Sequence, residues 1–258
     1  MTMSKAESAL LARATPYLRL PAGREGLPEI ADGLLDLLGS GPARRGAQKS
    51  LDASAFVWLY EKVRERILPA IFDIPSFEDE VARLHRELAL EPGDVVLDLA
   101  CGHGNFTQAL AEAVGPEGLV IGIDISRAML LRARDRLRQA GLSNVLLVWG
   151  DAHDLPIADS SLPRLNCSGG FHSMPDLPKA VAELARAAAP GARLTASSFA
   201  SGSDDPRARL KEWLNRRAGV NFVSLPWLGR EFESVGLEGY EGRMSGGWLG
   251  YAAARKGQ

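Results

Sequence analysis

Cysteine and histidine are scarce in this chain of 258 residues, which has two cysteines, Cys101 and Cys167, and four histidines. Two isolated thiols exclude a disulfide framework, and the scattered histidines lack the spacing of a structural zinc site, so no metal is expected. Charge of one sign is missing too. The chain has 30 basic and 32 acidic residues, a net charge of −2 and a pI of about 6.1. A nucleic-acid-binding domain carries a basic footprint with a pI above roughly 9, so nucleic acid is not an expected partner. No apolar run approaches the ~20 residues that span a bilayer, and the N-terminus has no continuous apolar segment of the signal-peptide kind. These gaps leave a cytoplasmic globular enzyme, with length for one large α/β domain or two small ones.

Three zones are present. Residues 1–50 read as irregular: a short helix over 6–14, prolines at 16, 21 and 28, an amphipathic stretch at 29–38, then a Gly/Ser/Pro-rich basic linker at 39–50. The arginines of that linker are expected to be solvated rather than phosphate-binding. Residues 51–92 read as a helical cap, with apolar residues at helical spacing over 54–71 and a second helix opened by Ser76 with Asp79 and ended by Pro92-Gly93. From 93 onward, short apolar runs alternate with helical stretches. The pattern predicts strands over 95–99, 119–123, 145–149, 165–168 and 194–199, and helices over 105–114, 126–140 and 177–188. A helix over 228–235 and a final hairpin over 237–243 and 248–255 close the chain. Such alternation implies a doubly wound, mostly parallel sheet, with one antiparallel strand contributed by the hairpin.

The first strand runs into a glycine turn and a helix, VVLDLACGHGNF. Gly102 and Gly104 allow close approach of backbone and ligand. Thr107 stands where a dinucleotide fingerprint needs its third glycine, and Asp98 would repel a pyrophosphate. An acid there suits a cationic ligand, an α-ammonium or a sulfonium. The second strand ends at Asp124, placed for two ribose hydroxyls, and the third at Asp151, placed for an exocyclic amine. Three acids at three successive strand ends describe a nucleoside with a cationic tail.

LDLACGHGNF, GIDIS, GDAHDLP, IADSSL and NCSGGFHSMPD resemble the successive motifs of class I S-adenosylmethionine-dependent methyltransferases, in the group around the quinone-biosynthesis and natural-product enzymes. The resemblance covers 93–200 well and 225–256 loosely. It implies a seven-stranded Rossmann-like sheet over 93–258 behind the helical N-terminal cap, with a substrate-lid insertion around 201–227. By the same resemblance, Asp98, Ala100, Cys101, Gly102, Gly104 and Phe106 bind the cofactor's methionine side and Asp124 holds the ribose. Ile125 and Met129 flank the adenine, Asp151 and Ala152 meet its amino edge, and Asn166, Cys167 and Ser168 form the floor beneath the sulfonium. Ala100 replaces the first glycine of the family loop, and His103 is read as facing solvent.

The implied activity is methyl transfer to an oxygen or carbon of a hydrophobic quinone, phenol or polyketide-like molecule, by a monomer or homodimer. His172 stands where a general base would act, and packing is its alternative role. Tyr60, His172 and Trp213 are the candidate substrate residues. Cys101 and Cys167 are expected as small buried hydrophobes. A cyclase or decarboxylase that uses the bound cofactor without methylation would carry the same three acids, so the residues leave that alternative open.

Overall fold

The structure is a computed structural model that describes residues 3–20, 26–38, 75–201, 222–245 and 249–258. Its centre is β2 (Val95–Leu99), β3 (Leu119–Asp124), β4 (Val145–Trp149), β5 (Leu162–Ser168) and β6 (Ala188–Ser201), all parallel. The chain passes from β2 through β3 to β4 on one side, then returns to place β5 against the other side of β2. Strand order therefore reverses between β2 and β5, and the carboxyl ends of strands beside such a reversal leave a crevice. Strands covered on both faces read as continuous apolar runs, and every residue of β3 is buried.

The hairpin of β8 (Leu237–Ser245) and β9 (Leu249–Lys256) completes the far side, with β9 antiparallel to both β6 and β8. The expected seven strands are present, and two short ones extend the sheet. β1 (Leu35–Asp36) pairs with the open edge of β4, and β7 (Val223–Ser224) pairs with the end of β6. The amphipathic stretch 29–38 thus supplies an edge strand, because Asp32 and Gly33 take left-handed backbone (φ 54° and 76°) and turn the chain.

Most of the described helices begin where a side chain receives an orphan amide. α1 (Lys5–Ala14) opens on a full Ser4–Glu7 capping box, and α2 (Phe77–Leu88) opens on Ser76, whose hydroxyl donates to Asp79 at 2.8 Å. α3 (Asn105–Val114), α4 (Arg127–Gln139) and α5 (Leu177–Ala187) follow β2, β3 and β5, and α6 (Leu225–Ser234) precedes the hairpin. Of the expected cap, α2 is the described part, and it lies against β6 and α3. The predicted helix over 54–71 and the linker 39–50 fall outside the described residues.

The N-terminal segment is stitched to the sheet domain. Arg13 donates to the carbonyls of Pro116, Glu117 and Gly118, closing the turn between α3 and β3. The Tyr17 carbonyl accepts the Ala158 amide at 2.8 Å, and Arg19 pairs with Asp154 and Glu183. The arginine face of α4 does similar work, since Arg127 pairs with Asp32 at 2.6 Å and Arg134 reaches the Asp32 carbonyl.

At the opposite edge, Tyr240 of β8 lies across α6. Its hydroxyl donates to the Leu225 carbonyl at 2.7 Å, and its ring meets Phe232 edge-on at 5.7 Å. Gly229 makes room, because a Cβ there would come 2.9 Å from the ring. Burial pushes the Tyr240 phenol up to about 12 from its ordinary value of 10.0. A raised phenol favours the folded state fully below the unfolded pKa, and that contribution disappears as pH rises from about 10 towards 12. Spectrophotometric titration of tyrosinate should therefore show a step near pH 12 that Tyr240→Phe removes, and its persistence in that variant would refute the assignment.

Candidate active site

The loop after β2 is unusual in its backbone. Ala100, Gly102 and Gly104 all take positive φ (55°, 55° and 82°). Gly104 caps α3 and lies so close to α4 that a Cβ would come 2.8 Å from that of Ala133. A Cβ on Gly102 would meet nothing within 4 Å, so its Cα faces open space. Ala100 is an L residue in left-handed backbone, a conformation that costs roughly 1–2 kcal/mol. Its methyl is accommodated by Gly170, where a Cβ would sit 2.6 Å from the Ala100 Cβ and 2.8 Å from the Cys167 sulfur.

Two clefts open along this loop. One, of about 100 Å³, runs between Ala100, Gly102, His103 and Asn105 on one side and Ser168, Gly169, Gly170 and His172 on the other. The other, of about 60 Å³, lies among Ile123, Ile125, Gly150, Asp151, Ala152 and Met174. Both are bounded by Ala100, Asp124 and Ser173, so they meet at Asp124.

Asp124 joins the two loops that form this junction. One carboxylate oxygen accepts the Gly102 amide and the other the Ser126 amide, both at 2.8 Å. A carboxylate offers about four lone-pair sites, more than these two amides fill. Asp151 is held by His153, whose backbone amide and Nδ1 approach one oxygen at 2.9 and 2.7 Å. The Asp176 amide points at Nε2 of the same ring, a pairing that suits the tautomer with its proton on Nδ1. Burial alone would raise the Asp151 carboxyl, but His153 outweighs it and holds the group below the ordinary aspartate range.

Of the residues named from sequence, Ala100, Cys101, Gly102, Asp124, Ile125, Met129, Asp151, Ala152, Ser168 and His172 border these clefts. Others stand elsewhere. Asp98 is 2% exposed behind the wall, with its two oxygens accepting from Thr107 at 2.6 Å and Asn166 at 2.8 Å. Asn166 and Cys167 are completely buried. Phe106 faces away, its ring 5.2 Å from that of Phe77 in the core under α3. Gly104 serves the packing of α4 as described. Tyr60 and Trp213 lie outside the described residues.

His103 overturns its reading as solvent-facing. It is 2% exposed and borders the first cleft, with Nδ1 3.4 Å from an Arg136 guanidinium nitrogen. Its place between the two loop glycines was the available signal, but the depth of α4 behind that loop is a tertiary fact. His172 is backed by Phe199 at 4.5 Å, which stacks in turn on Phe222 at 5.9 Å. Burial pushes the Cys101 and Cys167 thiols well up, with the carboxylates of Asp124 and Asp98 adding to it, so both stay protonated and unreactive.

These features fit a nucleoside with a cationic tail. An open glycine Cα and an acidic residue border the first cleft, a more apolar slot holds Asp151, and Gly169, Gly170 and His172 continue the wall beyond Ser168. The model of the methyltransferase-domain family matches residues 90–227, and the chain belongs to that family. A 2-phytyl-1,4-naphtoquinone methyltransferase of Synechococcus elongatus is 44% identical over 107 residues, 41% of this chain and 46% of that protein. A demethylmenaquinone methyltransferase of Geobacillus stearothermophilus is 39% identical over 106 residues, 41% and 45% of the two chains. The chain thus spans about half the length of the curated relatives it matches. Among solved structures, a SAM-dependent methyltransferase from Aquifex aeolicus superposes with a TM-score of 0.60 at 22% identity, over 79% of this chain and 98% of that one. The fold is that of the S-adenosylmethionine-dependent methyltransferases, and S-adenosylmethionine is the cofactor of the class.

Two outcomes follow from this geometry. Gly170→Ala should lower the unfolding free energy by about 1–3 kcal/mol, as overpacking does, and Ala100→Gly should recover part of it by removing the shorter contact. Denaturant titrations showing additive effects would contradict that coupling. Asp124→Ala should weaken S-adenosylhomocysteine, the thioether product, about 100-fold in calorimetry. An unchanged affinity would remove Asp124 from the site.

Proposed function

We propose that the protein acts in the cytoplasm and transfers a methyl group from S-adenosylmethionine to an oxygen or carbon of a hydrophobic quinone- or phenol-like small molecule. The observation that carries this reading is the pair of clefts meeting at Asp124, with Asp151 at one end and His172 beside the other. The quinone chemistry named for the Synechococcus and Geobacillus relatives supports the acceptor class.

In this reading Asp124 accepts from the ribose hydroxyls while its own geometry is held by the Gly102 and Ser126 amides. Ile125 and Met129 flank the base, and Asp151 accepts from its amine. The cofactor supplies an electrophilic methyl on a sulfonium whose departure leaves a neutral thioether, so alignment and exclusion of water account for most of the rate. The chain's remaining task is to take a proton from the acceptor as its oxygen or carbon attacks. His172 stands at the cleft with its ring set by Phe199, and imidazole has the pKa range for that transfer.

Incubation with S-adenosylmethionine and a naphthoquinol should yield a product heavier by one CH₂ unit in mass spectrometry. An unchanged or rearranged skeleton would replace transfer by the non-methylating alternative. His172→Ala should lower kcat by roughly 100-fold and flatten the acidic limb of the pH–rate profile, while S-adenosylhomocysteine affinity stays within about twofold. A retained limb with full activity would reduce His172 to packing.

A further inference from the structure

The two edges of the sheet are finished differently. One ends in β1, which is two residues long. The other ends in β8, nine residues long, and among the described residues no strand pairs with its outer edge. An uncovered edge presents a row of unpaired amides and carbonyls, which proteins guard with bulges, prolines or charged side chains. β8 has a bulge near its start, where the register shifts between Glu238 and Glu241 and Gly239 takes left-handed backbone (φ 62°). Over 241–245 it stays in regular register with β9 and contains no proline, and its charges are one of each sign.

This stretch is self-complementary. Arg243 lies opposite Tyr251, whose hydroxyl donates to Glu80 of α2, so Glu241 and Arg243 project on the α2 side of the sheet. Tyr240 bonds the Leu225 carbonyl of α6, so Tyr240 and Met244 project on the other side. The Glu241 and Arg243 side chains meet at 2.9 Å and are 66% and 74% exposed, so within one chain the pair adds little stability. Met244 is the one exposed large hydrophobic side chain among the described residues.

We propose that β8 is a homodimer interface, in which two copies pair their β8 strands antiparallel about a two-fold axis at Gly242 and join the two sheets into one. In an antiparallel pair centred there, positions equidistant from 242 face each other. Glu241 then faces Arg243 of the second copy, and Arg243 faces Glu241, both on the α2 side. Met244 faces Tyr240 of the second copy on the α6 side, where thioether and ring attract. Moving the axis by one residue sets Glu241 on Glu241 or Arg243 on Arg243, so like charges disfavour the adjacent registers. The inference does not depend on the cofactor reading.

Sedimentation velocity on the whole chain tests it. Over roughly 1 to 200 μM, the range in which a small interface associates, the unaltered protein should pass from its monomer mass of 27.7 kDa to twice that. Glu241→Arg and Arg243→Glu replace exposed side chains, so both variants should fold. Each alone should weaken dimerisation about tenfold, because it sets like charges opposite one another. Mixed in equal amounts, the two should dimerise as the unaltered protein does, since every facing pair is again of opposite sign. A monomer across the whole series would overturn the dimer and leave the edge to a strand of another protein. Dimers that both variants retain in full, or a mixture that stays as weak as its components, would overturn this interface.

Discussion

A carboxylate buried in the centre of the sheet constrains much of what surrounds it. An ionised group taken out of water must be hydrogen-bonded, and each bond to a charged acceptor is worth about 1.5–3 kcal/mol. Asp98 meets this need with Thr107 from the first turn of α3 and Asn166 from β5. Those two bonds tie together β2, the helix that follows it and the strand across the reversal point. A slip of one residue between β2 and β5 would point Asn166 to the other face and take its amide away from Asp98. The cleft stands on this register, since its wall residues follow directly from the ends of the same strands.

The second organising feature is the sharing of Asp124 between two loops. The Gly102 and Ser126 amides converge on it, and positive φ at Ala100, Gly102 and Gly104 is what bends the first loop far enough. Together with Asp98, it makes the surroundings of the clefts negative, which is why the Cys101 thiol is held protonated by burial and by both acids. A cationic cofactor is the natural complement to such a wall. The two cysteines are buried beside it, as the small hydrophobes expected from sequence.

Much of the fold was legible from the chain because its local signals agree with one another. The strands at 95–99 and 145–149 and the helix at 105–114 have the bounds read from sequence, since apolar runs there end sharply at acids, glycines or a cap. β6 was not legible to the same degree. It begins at Ala188, where Leu162 of β5 offers a pairing partner across an irregular register, and no property of Pro190-Gly191 announces a strand. β1 is a two-residue strand that exists because β4 would otherwise present an open edge. For the site, the structure places Asp124 and Asp151 at the clefts, but sequence position could not separate Asp98, which lies inside the wall, from acids that border it.

Sequence alone determined the class of fold and the position of the glycine loop, because these rest on short-range spacing (glycines after a strand, acids at successive strand ends, helical and extended periods), and the resemblance of its motifs pointed to the family. The direction in which side chains point was decided by the tertiary structure. Asp98 turns inward, where Thr107 and Asn166 donate to it, His103 is buried with Arg136 of α4 beside its ring, and the Ser168 hydroxyl turns towards the Asn166 oxygen. Each of these depends on partners more than three residues away in sequence or on another strand, or on the orientation such partners impose. Hydrogen-bond direction is a property of the assembled set and of no residue taken singly.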